Sequence, residues 1–118
     1  TILRLSGERD ELRVVDDQVG SPTYTVDLSE AIERLIDRGA TGIVHCSNSG
    51  ECSWYLFARE ILRLKGKGGL SIIPIKSDEL KRPAPRPPYS VLSNERYYNL
   101  TGYRMRSWEE SLGDYLTS

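Results

Sequence analysis

The amino-acid sequence predicts an α/β protein in which short strands alternate with amphipathic helices, or an α+β arrangement if the chain stands alone as a fragment. Brief apolar runs are followed by Gly/Pro or polar turns, which is typical of short strands. Between them, apolar residues recur three and four positions apart, as on one face of a helix. No internal repeat appears, and 118 residues are the size of one domain.

The first strand is predicted at residues 12–15 and is followed by the polar run Asp-Asp-Gln. A loop over residues 19–25 comes next, opened by Gly20 and Pro22, which favour a turn. A helix begins directly after this loop. Ligands of sheet proteins with flanking helices tend to bind where strands end, so the loop is the first candidate for a binding site.

The helix after this loop is well specified at both ends. Asp27 is predicted to cap it, because Glu30 follows three residues later and completes a capping box. Arg38 and Gly39 are predicted to end it, with a cation near the negative end and a residue that readily turns left-handed. Its apolar residues share one predicted face: Leu28, Ala31, Ile32, Leu35 and Ile36.

Two further strands surround a second helix. One strand is predicted at residues 43–46, and Ser53 is predicted to cap the helix that follows. A glycine-rich run at 66–69 ends this helix, and Pro74 places the next strand, 70–75, at a sheet edge. The apolar residues of the helix are predicted to point inward: Trp54, Phe57, Ala58, Ile61 and Leu62.

The C-terminal part is predicted to hold two more helices. Prolines between residues 83 and 88 first keep the chain extended. Residues 93–100 then form a short helix closed by Gly102, and Ser107 with Glu110 gives a capping box for the last one. The inward residues of the last helix are Trp108, Leu112, Tyr115 and Leu116.

The composition excludes several classes of partner. The formal charge is −1, from 16 basic and 17 acidic residues of mixed order, so no basic stripe marks a nucleic-acid surface. No apolar run approaches the roughly 20 residues of a membrane span. Cys46 and Cys52 fit a reduced cytoplasmic protein, with a disulfide between them as the alternative, and a single histidine leaves no zinc pattern.

The order of the motifs also carries a family resemblance. VVDDQVGSPTYTVDLSEAI resembles the segment that opens the C-terminal substrate domain of dTDP-4-dehydrorhamnose reductases, which are extended short-chain dehydrogenase/reductases. IVHCSNSG, CSWYLFA, RPPYSVLSNER and SWEESL match in the same order. The resemblance implies the C-terminal substrate-binding part of an NAD(P)-binding Rossmann-like protein, without its N-terminal dinucleotide-binding domain. The abrupt start, where Ile2, Leu3 and Leu5 read as the tail of a helix, independently indicates a piece of a longer protein.

The resemblance implies an activity for the intact protein. It would use NADPH or NADH to reduce dTDP-6-deoxy-L-lyxo-4-hexulose to dTDP-L-rhamnose, and neither the choice of cofactor nor a role for magnesium is set by these residues. One alternative is a non-catalytic regulatory subunit of the same fold, similar to the β subunit of methionine adenosyltransferase. Another is an epimerase or dehydratase that acts on a different nucleotide sugar.

The catalytic and cofactor-binding parts expected of this family are missing from the chain. The glycine cluster at 66–69 follows a helix and precedes a strand, the wrong order for a turn that holds a pyrophosphate. None of the seven tyrosines is followed by the family's lysine four residues later; Tyr55 has Arg59 there, within an amphipathic helix. The chain alone is therefore predicted to be inactive and to bind no nicotinamide cofactor.

Four residues match the family's Gln-x-Gly-x-Pro-Thr loop, which lies between the sheet and the substrate domain: Gln18, Gly20, Pro22 and Thr23. The resemblance implies that this loop lies near the substrate, with Gln18 and Thr23 as polar contributors. The alternative is that Gly20 and Pro22 only shape the turn.

Arg86 is the sharper candidate for a substrate contact. In related enzymes an arginine of an Arg-Pro segment before the penultimate helix reaches the nucleotide diphosphate. A planar guanidinium suits pairs of phosphate oxygens, and flanking prolines hold it in place. The alternative is a solvated arginine on a proline-rich loop, which is the favoured interpretation for Arg82.

Other polar residues are given structural roles. His45 lies in an apolar run and is expected to be hydrogen-bonded in the core or at a sheet edge. Asp16 and Asp17 are adjacent strand residues, so their side chains point to opposite faces and form no metal site. Glu109 and Glu110 read as a solvated helix start.

The isolated chain is expected to self-associate. If residues 12–15 and 43–46 belong to the edge of a larger sheet, the chain leaves unpaired backbone groups and apolar faces uncovered. A second copy is the partner expected to cover them, through sheet extension or an exchanged N-terminal segment. In the intact protein the partner is the N-terminal Rossmann domain.

Overall fold

The computed structural model describes residues 11–66, 71–80, 84 and 86–117, and they fall into two compact units. The first unit draws on Thr1–Gly20 and Cys52–Ser90, and the second on Ser21–Glu51 and Val91–Ser118. Predictions for Ile2, Leu3, Leu5, Leu70 and Arg82 lie outside the described residues. In chain order the elements are β1 (Glu11–Val15), β2 (Val19–Gly20), α1 (Thr25–Asp37), β3 (Cys52–Ser53), α2 (Trp54–Leu64), β4 (Ser71–Ile75), a 3-10 helix (Ser77–Leu80), α3 (Glu95–Thr101) and α4 (Trp108–Thr117).

The first unit is built on a parallel pair of strands, β1 and β4, with Leu12 opposite Ile72 and Val15 opposite Ile75. The helix between them, α2, packs on both strands. This strand-helix-strand arrangement confirms the predicted α/β class. The apolar contacts that hold it together come from buried residues on both layers: Leu12, Val15, Ala58, Ile61, Leu62 and Ile75.

The start of α2 confirms the cap predicted from the sequence. The Ser53 hydroxyl accepts the Leu56 N–H at 3.1 Å and donates to the Asp16 carboxylate at 2.7 Å, so it also ties the helix to the residue after β1. The inward position predicted for Trp54 is wrong, since this side chain is 53% exposed. Side chains lean toward the N-terminus of a helix, and Trp54 is the first helical residue, so little of the helix lies beneath it. Its ring meets that of Phe57 edge to face.

The second unit is built around α1 and α3, which pack against each other. Its buried centre consists of Ala31, Tyr97 and Met105. The broad apolar face predicted for α1 is wrong at two positions, because Ile32 is 49% and Ile36 is 71% exposed. The described residues cover only the Ala31 side of this helix. Half-buried side chains pack around the centre: Leu35, Val44 and Cys46.

The two C-terminal helices have the predicted boundaries to within two residues. Gly102 ends α3 in the left-handed conformation, with φ of 74°, and Ser107 accepts the Glu110 N–H at 3.2 Å at the start of α4. Trp108 is buried as predicted, whereas Tyr115 is 60% exposed and not inward. Within the described ranges, no helix combines the length and apolar character that crossing a membrane requires.

The strand predicted at residues 43–46 is absent, and this part of the second unit is irregular. Side chains take the place of a neighbouring strand. Arg96 donates to the Ile43 carbonyl, while Asn94 accepts the Ser47 N–H at 2.9 Å and donates to the Ser47 carbonyl at 2.8 Å. These side-chain bonds pair backbone groups at the two ends of the run, at Ile43 and Ser47, without a neighbouring strand. An apolar run of four residues does not reveal such distant partners.

Candidate functional site

The loop predicted to contact a ligand is shared between the two units. Gln18 and Gly20 belong to the first unit, together with Arg86, whereas Pro22 and Thr23 belong to the second. Within the first unit, Gln18 is only 7% exposed, while Arg86 is exposed. A ligand on this unit would therefore meet the Arg86 side chain more readily than the Gln18 amide.

The structure brings the segment that carries Arg86 beside the Gln-x-Gly part of the loop. The Val19 N–H donates to the Pro88 carbonyl at 2.8 Å, and the Val19 carbonyl accepts the Ser90 N–H at 2.9 Å. β2 is also paired antiparallel with β3, so its backbone is fixed on the scaffold that α2 begins from. Arg86 lies two residues before Pro88, so this backbone pairing anchors it close to β2.

Gly20 has a steric reason to be glycine. A Cβ atom at this position would lie 3.1 Å from the Ser90 hydroxyl oxygen, closer than an ordinary van der Waals contact. The absence of a side chain lets β2 approach the 88–90 segment. The predicted interpretation of Gly20 as a residue that shapes the loop is therefore supported by a specific contact.

The two carboxylates after β1 are used for structure and bond to different partners, although β1 ends at Val15 and neither is a strand residue as predicted. Asp16 accepts from the Ser53 hydroxyl, whereas Asp17 accepts from the Ser77 N–H and hydroxyl, both at 3.0 Å. The hydrogen bond from the Ser77 backbone lowers the pKa of Asp17. Among the described residues, no group of three or more His, Cys, Asp or Glu side chains is arranged to hold a metal ion.

The second part of the loop is held by Asn48. The Thr23 hydroxyl donates to the Ser21 carbonyl at 3.0 Å and accepts the Asn48 N–H at 3.2 Å. The Asn48 side-chain oxygen accepts the Tyr24 N–H at 2.7 Å, and the Ser21 hydroxyl donates to the Gly50 carbonyl at 2.7 Å. Thr23 therefore uses its hydroxyl to fix the loop itself.

Asp27 is the centre of a buried polar network that the sequence did not predict. Its side chain is nearly covered, with the residue 8% exposed. The carboxylate accepts from the Asn48 amide at 2.9 Å, from the Ser111 hydroxyl at 2.6 Å and from the Arg106 Nε at 3.0 and 3.1 Å. Arg106 also pairs with Asp114. The network links the start of α1 to α4 and to the segment before it.

The capping role predicted for Asp27 is wrong. Helix α1 begins two residues earlier, at Thr25, with Tyr24 in the capping position and Asp27 as its third residue. The partners Arg106 and Ser111 lie 79 and 84 residues further along the chain, so no local pattern indicates them. An aspartate in the first turn also suits the positive end of the helix dipole.

The network keeps Asp27 ionised. Burial raises the pKa of this carboxyl, but hydrogen bonds from Arg106, Ser111 and Asn48, together with the charge of Arg106, outweigh it and lower the pKa below its ordinary value of 3.8. The same carboxylate, followed by that of Asp114, raises the pKa of Arg106. At neutral pH the pair is fully charged.

The lowered pKa of Asp27 predicts a loss of stability in acid. Because the unfolded chain takes up this proton first as pH falls through about 4, the stabilisation is complete above about pH 5 and declines below it. The difference in free energy of unfolding between the wild type and Asp27→Asn should shrink from pH 6 to pH 3, as measured by urea denaturation. An equal difference at both pH values would contradict the assignment.

In the part of the chain that the structure describes, the remaining reactive side chains are not assembled into a site. His45 is exposed, so the core or sheet-edge role predicted for it is wrong. Cys46 and Cys52 form no disulfide, so the alternative of a bond between them is not realised. Burial raises the pKa of Cys46, which makes it a weak nucleophile at neutral pH.

Among the clefts formed by described residues of the second unit are two that share the 103–105 segment as part of their lining. The larger has a volume of about 620 Å³ and the smaller about 480 Å³, and Pro22 and Thr23 line neither. In the larger cleft the Arg34 guanidinium lies 4.0 Å over the Tyr103 ring. Three arginines and three carboxylates line this cleft, so its charges offset one another: Arg34, Arg104, Arg106, Asp27, Glu30 and Asp114.

Comparison with known proteins identifies relatives over nearly the whole chain. A family model for the RmlD substrate binding domain matches residues 1–118. The spore coat polysaccharide biosynthesis protein SpsK of Bacillus subtilis (strain 168) is 47% identical over 116 residues, which are 98% of this chain and 40% of that protein. The chain thus spans well under half of this relative's length.

Solved structures give the same result for the fold. A dTDP-4-dehydrorhamnose reductase of Clostridium acetobutylicum superposes with a TM-score of 0.91 and 45% identity, over 98% of this chain and 41% of its own. The dTDP-4-dehydrorhamnose reductase of Bacillus anthracis, in complex with NADP, superposes with a TM-score of 0.90 and 38% identity, again over 98% and 41%. In both, the match covers one part of a longer chain.

Proposed function

This chain belongs to the RmlD substrate binding domain family, and we propose that it is the C-terminal, substrate-binding part of a dTDP-4-dehydrorhamnose reductase, within the extended short-chain dehydrogenase/reductases. The intact protein then reduces dTDP-6-deoxy-L-lyxo-4-hexulose to dTDP-L-rhamnose. Support comes from the two reductases that superpose on it, of which one was solved with NADP. A cytoplasmic location belongs to the same proposal, since cysteines that form no disulfide are typical of a reducing compartment.

The observation that carries the site is the pairing of the Arg86 segment with β2. Arg86 binds the diphosphate of the nucleotide sugar, because an exposed arginine, flanked by prolines in the sequence, offers two parallel N–H groups to phosphate oxygens. The loop residues Gln18, Gly20, Pro22 and Thr23 shape the surface against which the nucleotide sugar lies. Within the first unit the backbone of β2 is fixed by its pairing with β3, and within the second unit the Thr23 hydroxyl is fixed by its hydrogen bonds to Ser21 and Asn48.

The chain supplies binding and orientation, and an N-terminal dinucleotide-binding domain supplies the reduced nicotinamide. Holding the sugar in a fixed position lowers the barrier by removing the entropy cost of alignment. No residue of this chain is assigned to the cofactor or to proton transfer. The chain alone is therefore expected to be inactive and to bind neither NADPH nor NADH.

The proposal is tested with the intact protein, the keto sugar and NADPH. Consumption of NADPH in equal amount to the dTDP-L-rhamnose formed supports a reductase. Formation of an epimerised or dehydrated sugar nucleotide without net consumption of NADPH would replace it with the epimerase or dehydratase alternative. Nucleotide binding without any turnover would favour the regulatory subunit.

Self-association of the isolated chain is part of the proposal. Ile36, Ile43 and Trp54 are 71%, 78% and 53% exposed, and β1 and β4 pair only with each other among the described residues. Apolar side chains and open strand edges recruit another chain. Light scattering on a dilution series should show oligomers that dissociate as the protein is diluted. A monomer at high concentration would contradict this expectation.

A further inference from the structure

Asn48 makes more contacts with the predicted substrate loop than its place in the chain suggests. It lies in the irregular 43–48 segment and is 1% exposed. Its backbone N–H reaches the Thr23 hydroxyl, and its side-chain oxygen reaches the Tyr24 N–H. Two consecutive residues of the loop are thus bonded to a single buried asparagine.

The other side of the Asn48 amide is anchored in the Asp27 network. The amide nitrogen donates to the Asp27 carboxylate at 2.9 Å and to the Arg106 carbonyl at 3.3 Å. In a capping box, an acidic residue at the third helical position bonds directly to the N–H of the capping residue. Asp27 and Tyr24 hold these two positions in α1, but the Asn48 amide stands between them and joins the two.

Only one orientation of this amide satisfies its partners. Turning it over would place the amide N–H₂ against the Tyr24 N–H and the oxygen against the Asp27 carboxylate, which gives two repulsive contacts. Asp27 therefore fixes the amide, and the amide fixes the loop. Since Arg106 and Ser111 fix Asp27 in turn, the position of the loop depends on α4 and the segment before it.

We propose that Asn48 is a positioning residue for nucleotide-sugar binding, which holds the Pro-Thr part of the loop in its binding geometry through the Thr23 hydroxyl and the Tyr24 N–H. At 1% exposure it does not touch the ligand. This inference rests on the proposed function of the loop. It assigns a role to a residue outside the Gln-x-Gly-x-Pro-Thr motif.

The test compares Asn48→Ala with Ser47→Ala in the intact protein. Ser47 is the adjacent residue, is 8% exposed, and its hydroxyl has no hydrogen-bond partner within the described part of the chain. Asn48→Ala should raise KM for the keto sugar about ten- to a hundredfold, because small displacements of binding groups are costly. The value of kcat should change much less, KM for NADPH should stay constant, and Ser47→Ala should resemble the wild type.

An exchange of the two partners provides a rescue. Asn48→Asp alone places a second carboxylate against that of Asp27 and should impair keto-sugar binding at least as much as alanine does. Combining it with Asp27→Asn restores one donor and one acceptor, since the new amide at position 27 donates to the new carboxylate at position 48. The double variant should recover part of the affinity lost in Asn48→Asp, because the carboxylate at position 48 still cannot donate to the Arg106 carbonyl.

Each outcome decides the inference. An unchanged KM for the keto sugar in folded Asn48→Ala, or an equal rise for the keto sugar and NADPH, would overturn it. If the wild-type protein does not reduce the keto sugar, the proposed function fails, and amide hydrogen exchange then tests the positioning alone. Exchange at Tyr24 should be roughly tenfold faster in Asn48→Ala than in Ser47→Ala, as expected for one lost hydrogen bond; equal rates would contradict the role.

Discussion

Replacing Asp27 by alanine is expected to lower the free energy of unfolding by about 2–4 kcal/mol. The carboxylate is nearly buried and is the common acceptor for Arg106, Ser111 and Asn48, so its removal takes an acceptor from two buried donors, Asn48 and Ser111, and from the half-buried Arg106. The expected fall in the free energy of unfolding is smaller than the largest values for a broken buried ion pair, because Arg106 keeps its contact with Asp114. Urea denaturation of the chain measures it.

A matched control uses the other carboxylate on the same arginine. The Asp114 side chain is 61% exposed, against 10% for Asp27, so solvent screens its pairing with Arg106. Asp114→Ala should cost within about 1 kcal/mol. An equal fall in the free energy of unfolding for Asp27→Ala and Asp114→Ala would show that burial of the Asp27 carboxylate is not the source of its stabilising effect.

Arg86→Ala, made in the intact protein, is expected to weaken nucleotide-sugar binding roughly ten- to a hundredfold. A charge-assisted, bidentate contact with a diphosphate is worth about 1.5–3 kcal/mol, and alanine removes it without disturbing the core, since Arg86 is exposed. Arg86→Lys should recover only part of the affinity, because an ammonium group cannot reproduce the planar fork. Calorimetric titration with dTDP-L-rhamnose gives the three affinities.

The control for this substitution is Arg59→Ala, an exposed arginine on α2 in the same unit. It removes one positive charge without touching the segment beside β2, so it should leave the affinity unchanged. An equal loss in both variants would show a general effect of net charge. No loss in Arg86→Ala would reduce Arg86 to a solvated surface residue.

The features that the sequence predicted correctly depend on residues close together in the chain. The Ser53 and Ser107 caps each join a hydroxyl to an N–H three residues ahead, and Gly102 ends α3 by its own backbone conformation. Such contacts involve residues that are only a few positions apart in the sequence. They are therefore visible without any knowledge of the tertiary structure.

The errors arise where distant side chains decide the local structure. Asp27 has the spacing of a cap, yet Arg106 and Ser111 draw it into the first turn of α1 as a buried acceptor. Residues 43–46 have the composition of a strand, but the side chains of Arg96 and Asn94 satisfy backbone groups of that region. Neither outcome follows from periodicity, because the partners lie tens of residues away.

The candidate site shows the same division. Gly20 and Arg86 were identified from motifs, whereas the backbone pairing that places their segments side by side is a long-range contact through Val19. Asn48 carried no signal, since a lone asparagine in a polar turn usually shapes only that turn. Its role emerges from hydrogen bonds to Tyr24 and Thr23, which precede it by 24 and 25 positions in the sequence.

Amide hydrogen exchange of the intact protein, with and without saturating dTDP-L-rhamnose, tests most directly whether this domain binds the nucleotide sugar through the loop and the Arg86 segment. The expected result is slower exchange on ligand addition at the non-proline amides of residues 18–24 and 86–90, with little change in α4. Protection confined to the 103–105 segment shared by the two clefts, or no protection at 18–24 and 86–90, would contradict the proposed site.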